Sequence, residues 1–98
     1  MSVPIVVVRV YVTESRARLK RLLGLLRTSG RLRGATVFRG IAGFGLTSPE
    51  NSDASAPEDP PVVIEFFDSP EAVGETIRFL RTMIAPHHIV TFQAMSTK

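Results

Sequence analysis

The pattern of apolar positions along the chain predicts strands and helices in the order β-α-β-β-α-β. Residues 4–12, 61–68 and 88–95 are rich in β-branched and aromatic side chains, which favour strands. A further strand begins near residue 34 and runs into a glycine-rich stretch that ends at residue 45. This order is typical of the ferredoxin-like α+β fold, a four-stranded antiparallel sheet with two helices on one face.

Two segments have the periodicity of amphipathic helices. We expect the first to begin with Ser15 as its N-cap and to end near residue 29. Its apolar stripe repeats at i, i+3, i+4 and i+7: Leu19, Leu22, Leu23 and Leu26. Gly24 lies inside this helix, where a close approach to the sheet would explain a glycine. The second helix begins with Ser69 as its N-cap, followed by a proline, and ends at Pro86.

Both faces of two predicted strands are apolar. In residues 5–8 and 62–64, valine and isoleucine occupy odd and even positions alike. Two helices cover only one face of a sheet, and a second face in contact with solvent normally carries polar residues at alternate positions. We therefore expect the second face to be buried against other subunits. Arg9 and Glu65 interrupt this face, and they either pair there or line a polar edge.

Length and composition restrict the function. The 98 residues suit one domain, residues 1–98, and the absence of cysteine excludes disulfides, thiolate metal sites and cysteine nucleophiles. No signal peptide or apolar span is evident, so we expect a soluble, cytoplasmic protein that does not span a membrane. Neither a Ser–His–acid pattern nor a metalloprotease, P-loop or Rossmann motif is present. We expect no catalytic residues and no enzymatic activity.

Charge is distributed unevenly along the chain. Residues 15–33 hold seven basic residues and no acid, whereas residues 46–60 hold four acids, three prolines and no base. The acidic segment predicts a mobile loop, and loops of this length are usually either functional or disordered. The basic first helix is either a solvated face or a binding surface for an acidic protein or a membrane surface. Nucleic acid is disfavoured, because no aromatic side chains are interspersed among the basic ones for stacking on bases.

The stretch from Gly34 to Gly45, GATVFRGIAGFG, resembles the PII signalling superfamily. It is more similar still to a branch of small, uncharacterised PII-like proteins, and the apolar strand containing Ile64 and Glu65 adds to the resemblance. What this implies is a homotrimer with three sheets around a central axis and ligand clefts between subunits. It also implies that residues 46–60 form a T-loop-like segment, which regulates an unidentified protein partner, a transporter or an enzyme.

The resemblance implies a set of site residues as well. Gly43, Phe44 and Gly45 match the cleft wall at the base of the T-loop, and Gly40 precedes them; glycine there lets backbone amides approach an anion. Arg39 is the expected clamp for a phosphate or carboxylate. Further cleft contributors are Arg9, His87 and His88. The adjacent histidines point in opposite directions in an extended segment, so we expect no metal site.

Departures from the family pattern bear on the ligand. In PII proteins that bind ATP, Arg-Gln follows the G-F-G segment and a glycine-rich segment carries a phosphate-binding lysine; here Leu46 and Thr47 follow, and residues 85–88 hold no lysine. We therefore expect an effector with little phosphate, an adenine nucleotide or an inorganic anion, and no required cofactor. The alternatives are a ligand-free adaptor trimer that binds through its basic helix, and a small enzyme or metal-binding protein on the same fold.

Overall fold

The computed structural model describes residues 1–29, 32–43 and 60–97. The expected order of strands and helices is confirmed, with the first helix divided into two parts. The elements are β1 (Ser2–Thr13), α1 (Glu14–Ala17), α2 (Leu19–Ser29), β2 (Thr36–Arg39), β3 (Pro61–Asp68), α3 (Pro70–Leu80), a 3-10 turn (Pro86–His88) and β4 (Ile89–Thr97). No helix in these three ranges is long and apolar enough to cross a membrane.

The strands form one antiparallel sheet in the order β2-β3-β1-β4. This is the strand order of the ferredoxin-like arrangement. Along the central pair, Arg9 lies opposite Glu65 and Thr13 lies opposite Pro61. The register therefore defines two ends of the sheet. The loop end is the edge marked by Thr13, Arg39, Pro61 and Ile89, and the far end is the edge marked by Ser2, Thr36, Asp68 and Thr97.

The core lies between one face of the sheet, here called the helix face, and the two longer helices. Alternate side chains of β1 and β3 point into it, and Val8, Val10 and Ile64 are fully buried. Leu22 from α2 and Leu80 from α3 are also fully buried in the same cluster. Both helices thus pack on the face formed by the even-numbered residues of these strands, as expected from the sequence.

The predicted single first helix is wrong, because Arg18 interrupts it. Arg18 has a left-handed backbone with φ of 45°, and its N–H donates to the Ser15 carbonyl at 3.1 Å. A non-glycine residue in this region carries strain of about 1–2 kcal/mol. The expected Ser15 N-cap is wrong as well, since β1 continues to Thr13 and Thr13 holds the N-cap position. The apolar stripe of α2 begins only after the interruption.

Two smaller expectations about the helices have opposite outcomes. Ser69 is the N-cap of α3, and its side chain accepts a hydrogen bond from the Ala72 N–H at 3.2 Å, as predicted. The close approach expected at Gly24 is absent. This glycine is exposed, and an added Cβ atom would meet no neighbouring atom within 4 Å.

Candidate ligand cleft

Arg39 lies at the loop end, where β2 leaves the sheet. Its guanidinium forms an ion pair with the Glu14 carboxylate, and the two side chains are 62% and 33% exposed. The next residue, Gly40, donates its N–H to the Pro61 carbonyl at 2.7 Å, which continues the pairing of β2 with β3. The sheet therefore presents an exposed cation beside the glycines at positions 40 and 43. That cation is already engaged by a carboxylate.

The glycines at the loop end lie against Pro61. A Cβ atom added at Gly40 would come within 2.9 Å of Pro61 Cγ, and one added at Gly43 within 3.1 Å of the same atom. A side chain at position 40 would clash with the proline, whereas one at position 43 would make a tight contact with it. Packing alone therefore accounts for a glycine at position 40. Phe44 and Gly45 of the predicted wall lie outside the described residues, and so does the predicted T-loop-like segment up to residue 59.

The two histidines lie at the loop end but on the other edge of the sheet. His88 follows the 3-10 turn before β4, and its Nδ1 lies 2.8 Å from the Tyr11 carbonyl oxygen. Because β2 and β4 are opposite edge strands, three strand spacings, about 14 Å, separate His88 from Arg39. Within one chain the histidines and Arg39 do not meet. The expectation that His87 and His88 point in opposite directions is wrong, because they lie in a 3-10 turn rather than in an extended segment, and their ring centres are 4.3 Å apart. The described residues contain no group of three metal-ligating side chains.

Arg9 is placed away from the glycine segment, on the other face of the sheet from the helices. It forms an ion pair with Glu65 at 2.7 Å, and its guanidinium lies 5.2 Å from the centre of the Phe92 ring. The hydrogen bond with Glu65 raises the pKa of the Arg9 guanidinium above its ordinary value. The first of the two sequence alternatives, direct pairing, is therefore the one observed.

The face that carries this ion pair is apolar and exposed in the single chain. We call it the open face; it comprises Ile5, Val7, Arg9, Tyr11, Phe38, Val63, Glu65, Phe67, Val90 and Phe92. Five of its apolar side chains are between 42% and 55% exposed: Tyr11, Phe38, Phe67, Val90 and Phe92. No described helix lies on this face, because both helices pack on the opposite one.

A cleft of about 710 Å³ opens at the far end of the sheet. It lies between the start of β1, residues 33–36 and the end of β3, and Arg33, Asp68 and Ser96 are among its lining residues. None of the predicted site residues lines this cleft. A ligand site formed between subunits would not appear as a concavity in one chain, so the far-end cleft does not substitute for the predicted one.

Sequence reasoning missed Glu14, the partner of Arg39. The two residues are 25 positions apart, and no motif links them. They meet because β1 ends opposite the start of β3, while β2 ends on the other side of β3. One signal was present in the sequence. Glu14 is the single acid in residues 1–49, immediately before the basic helix.

The four-stranded sheet and its strand order are those of a PII-like fold. A solved structure of CPII from Thiomonas intermedia K12, bound to ADP and bicarbonate, has a similar fold, with a TM-score of 0.65 and 17% sequence identity. The similarity covers 98% of this chain and 89% of that one. The chain belongs to the DUF190 family, described as "Uncharacterized ACR, COG1993", whose model matches residues 5–96. No curated protein sequence matches the chain.

Proposed function

We propose that the protein is a homotrimeric PII-like regulator that binds a small anion in clefts between its subunits. The observation that carries this proposal is the open face, on a chain with a PII-like fold. Contiguous exposed apolar surface is rare on a stable monomer and marks an interaction site. A small domain also gains stability from assembly, because it buries a limited fraction of its own surface.

The open face suits burial against copies of the same chain. Its ion pair is satisfied within each subunit, because Arg9 and Glu65 bond to each other. Burying the face would therefore leave neither charge unpaired, which is the costly outcome. Around this pair lie aromatic side chains, which are enriched in protein interfaces: Tyr11, Phe38, Phe67 and Phe92.

Arg39 and the glycine segment support an anion as the ligand. An exposed guanidinium can form charge-assisted bonds with phosphate or carboxylate groups. The Gly40 N–H is held by the Pro61 carbonyl, so a backbone contribution would have to come from the N–H of Gly43. CPII, the similar structure, holds ADP and bicarbonate. We propose an adenine nucleotide or bicarbonate as the effector here too, with His87 and His88 of a neighbouring subunit as further contributors.

In this proposal the anion regulates a protein partner rather than undergoing a reaction. Residues 46–60 would contact the partner, a transporter or an enzyme, and ligand binding would change that contact. Ordering of a segment by a ligand is an established switching mode. The acidic, proline-containing sequence of this segment supports a role in contacts rather than in a packed core.

Native mass spectrometry and calorimetry test the proposal together. We expect the purified protein to appear as a trimer and to release heat on titration with ADP or with bicarbonate. A monomer at micromolar concentration would refute the assembly. Trimers that bind neither ADP, AMP, ATP nor bicarbonate would refute the anion site. A substitution is also needed to test the anion site itself. Gly43 is a poor position for it, because a side chain there would press on Pro61 whether or not an anion binds. Arg39→Gln, which removes the guanidinium, is the better choice.

A second function is favoured by the basic surface of the first helical region. Arg18, Lys20, Arg21 and Arg27 are all exposed. A ligand-free adaptor trimer could hold an acidic protein or an anionic membrane surface there. Salt-sensitive binding to phosphatidylserine vesicles or to an acidic peptide, together with no heat from any nucleotide, would favour this adaptor. Lys20→Glu with Arg27→Glu should abolish that binding and leave nucleotide binding unchanged.

A further inference from the structure

Glu14 and Arg39 are both held by backbone contacts at the start of β3. The Glu14 N–H donates to the Pro60 carbonyl at 2.9 Å, and the Gly40 N–H donates to the Pro61 carbonyl at 2.7 Å. These two carbonyls belong to adjacent residues, so the segments that carry the ion pair are fixed relative to each other on either side of β3. The side chains meet without any rearrangement of the backbone.

The position of Glu14 has consequences for any anion at Arg39. A carboxylate on the chain occupies the guanidinium that a phosphate or bicarbonate would need. Because the Glu14 backbone is anchored at Pro60, its carboxylate remains near Arg39 even when displaced from it. Both side chains are partly exposed, so the carboxylate can turn into solvent and leave the guanidinium free. The geometry therefore allows the Glu14 carboxylate and an external anion to compete for the Arg39 guanidinium.

We propose that Glu14 is a built-in competitor for the anion site and sets the affinity of that site. This inference rests on the proposed anion-binding function. An anion reaches Arg39 only in the fraction of molecules in which Glu14 has released it, so the apparent dissociation constant equals the intrinsic one divided by that fraction. An exposed ion pair has a modest strength, and we expect the competition to weaken anion binding by about two- to fivefold.

Calorimetric titration of Glu14→Gln with ADP and with bicarbonate tests this role. We expect both anions to bind this variant about two to five times more tightly than wild type. Glu71→Gln is the matched control, because it removes the same charge at an exposed position of α3, which begins at the far end of the sheet. Its affinities should equal those of wild type.

The pairing with Arg39 is tested in the background of Arg39→Gln. There we expect the additional Glu14→Gln substitution to have no effect on binding, since Glu14 has no guanidinium left to occupy. An equal gain with and without Arg39 would overturn the competitor role, because it would report only the general loss of a negative charge.

The remaining outcomes separate this inference from the proposed function. Unchanged affinity in Glu14→Gln, with normal binding in wild type, would overturn the competitor role alone. Binding that appears only in Glu14→Gln would support it strongly. Absence of heat in wild type and in Glu14→Gln would overturn both the competitor role and the anion site.

Discussion

The helix face and the open face are two sides of the same strands. On β3, Ile64 is fully buried among helix residues, whereas Phe67, three positions later, is 55% exposed. Apart from Arg9 and Glu65 on the open face, the strand residues on the two faces are alike and mostly apolar. The two faces differ in what packs on them, because α2 and α3 pack on one face and no described helix packs on the other. The apolar pattern of a strand thus predicts burial that its own chain does not supply on the open face.

A charge on the open face should have the largest effect. We expect Phe92→Asp to convert the proposed trimer into folded monomers, because an ionised carboxylate buried between subunits without a partner would cost several kcal/mol. Met83→Asp is the control, since Met83 is exposed to a similar degree, 41% against 42%, but lies after α3 and not on the open face. Native mass spectrometry reports the subunit number, and far-ultraviolet circular dichroism reports retained structure. A Phe92→Asp protein with the wild-type subunit number would contradict the comparison.

Truncation of adjacent residues on β3 should separate the two faces. Ile64→Ala leaves a cavity in the core and should lower the free energy of unfolding by about 2–5 kcal/mol. Its neighbour Val63 points to the open face, so the loss in Val63→Ala should be smaller and should shrink on dilution, as the assembly dissociates. Urea unfolding at two protein concentrations measures both. If Val63→Ala lowered the free energy of unfolding as much as Ile64→Ala at both concentrations, the proposed difference between the two faces would be wrong.

The smallest effect is expected on the solvent side of the helices. Gly24→Ala should raise the free energy of unfolding by about 0.5–1 kcal/mol, because alanine restricts the unfolded chain and an added Cβ meets nothing. Subunit number should not change. Gly40→Ala is the matched control, and we expect it to destabilise the protein, since its Cβ would clash with Pro61. Thermal unfolding of both variants would show opposite shifts, and shifts of the same sign would count against this explanation.

Local sequence signals predicted much of the fold. The strand at residues 61–68 was placed with its observed bounds, and Ser69 caps the next helix as expected. Both predictions depend only on residues that are close together in the sequence. The interruption at Arg18 could not be predicted, because an arginine in a left-handed conformation leaves the apolar spacing of residues 19–26 unchanged. Short-range patterns report which residues are buried and do not report each backbone angle.

The candidate site was less predictable than the fold. Arg39 was chosen for its chemistry and its place beside the glycines, but its partner Glu14 depends on strand register, which brings together residues from different elements. The sequence also predicts Arg9 as a contributor to the same cleft, yet it lies on the open face, paired with Glu65. The strand period of two puts Arg9 and the helix face on opposite sides. Whether Arg9 contacts a ligand or forms an ion pair can be decided only from its neighbours in the folded chain.

The pair of Arg9 and Glu65 also affects how the sheet reaches its correct alignment during folding. Because β1 carries valines at successive positions, sliding it by one residue along β3 would still bury apolar side chains, so hydrophobicity discriminates weakly against the error. The slipped alignment would, however, turn Arg9 into the core and separate it from Glu65. An uncompensated charge there is strongly disfavoured. The two charges thus disfavour a shifted strand register in a sheet whose two faces are otherwise both apolar.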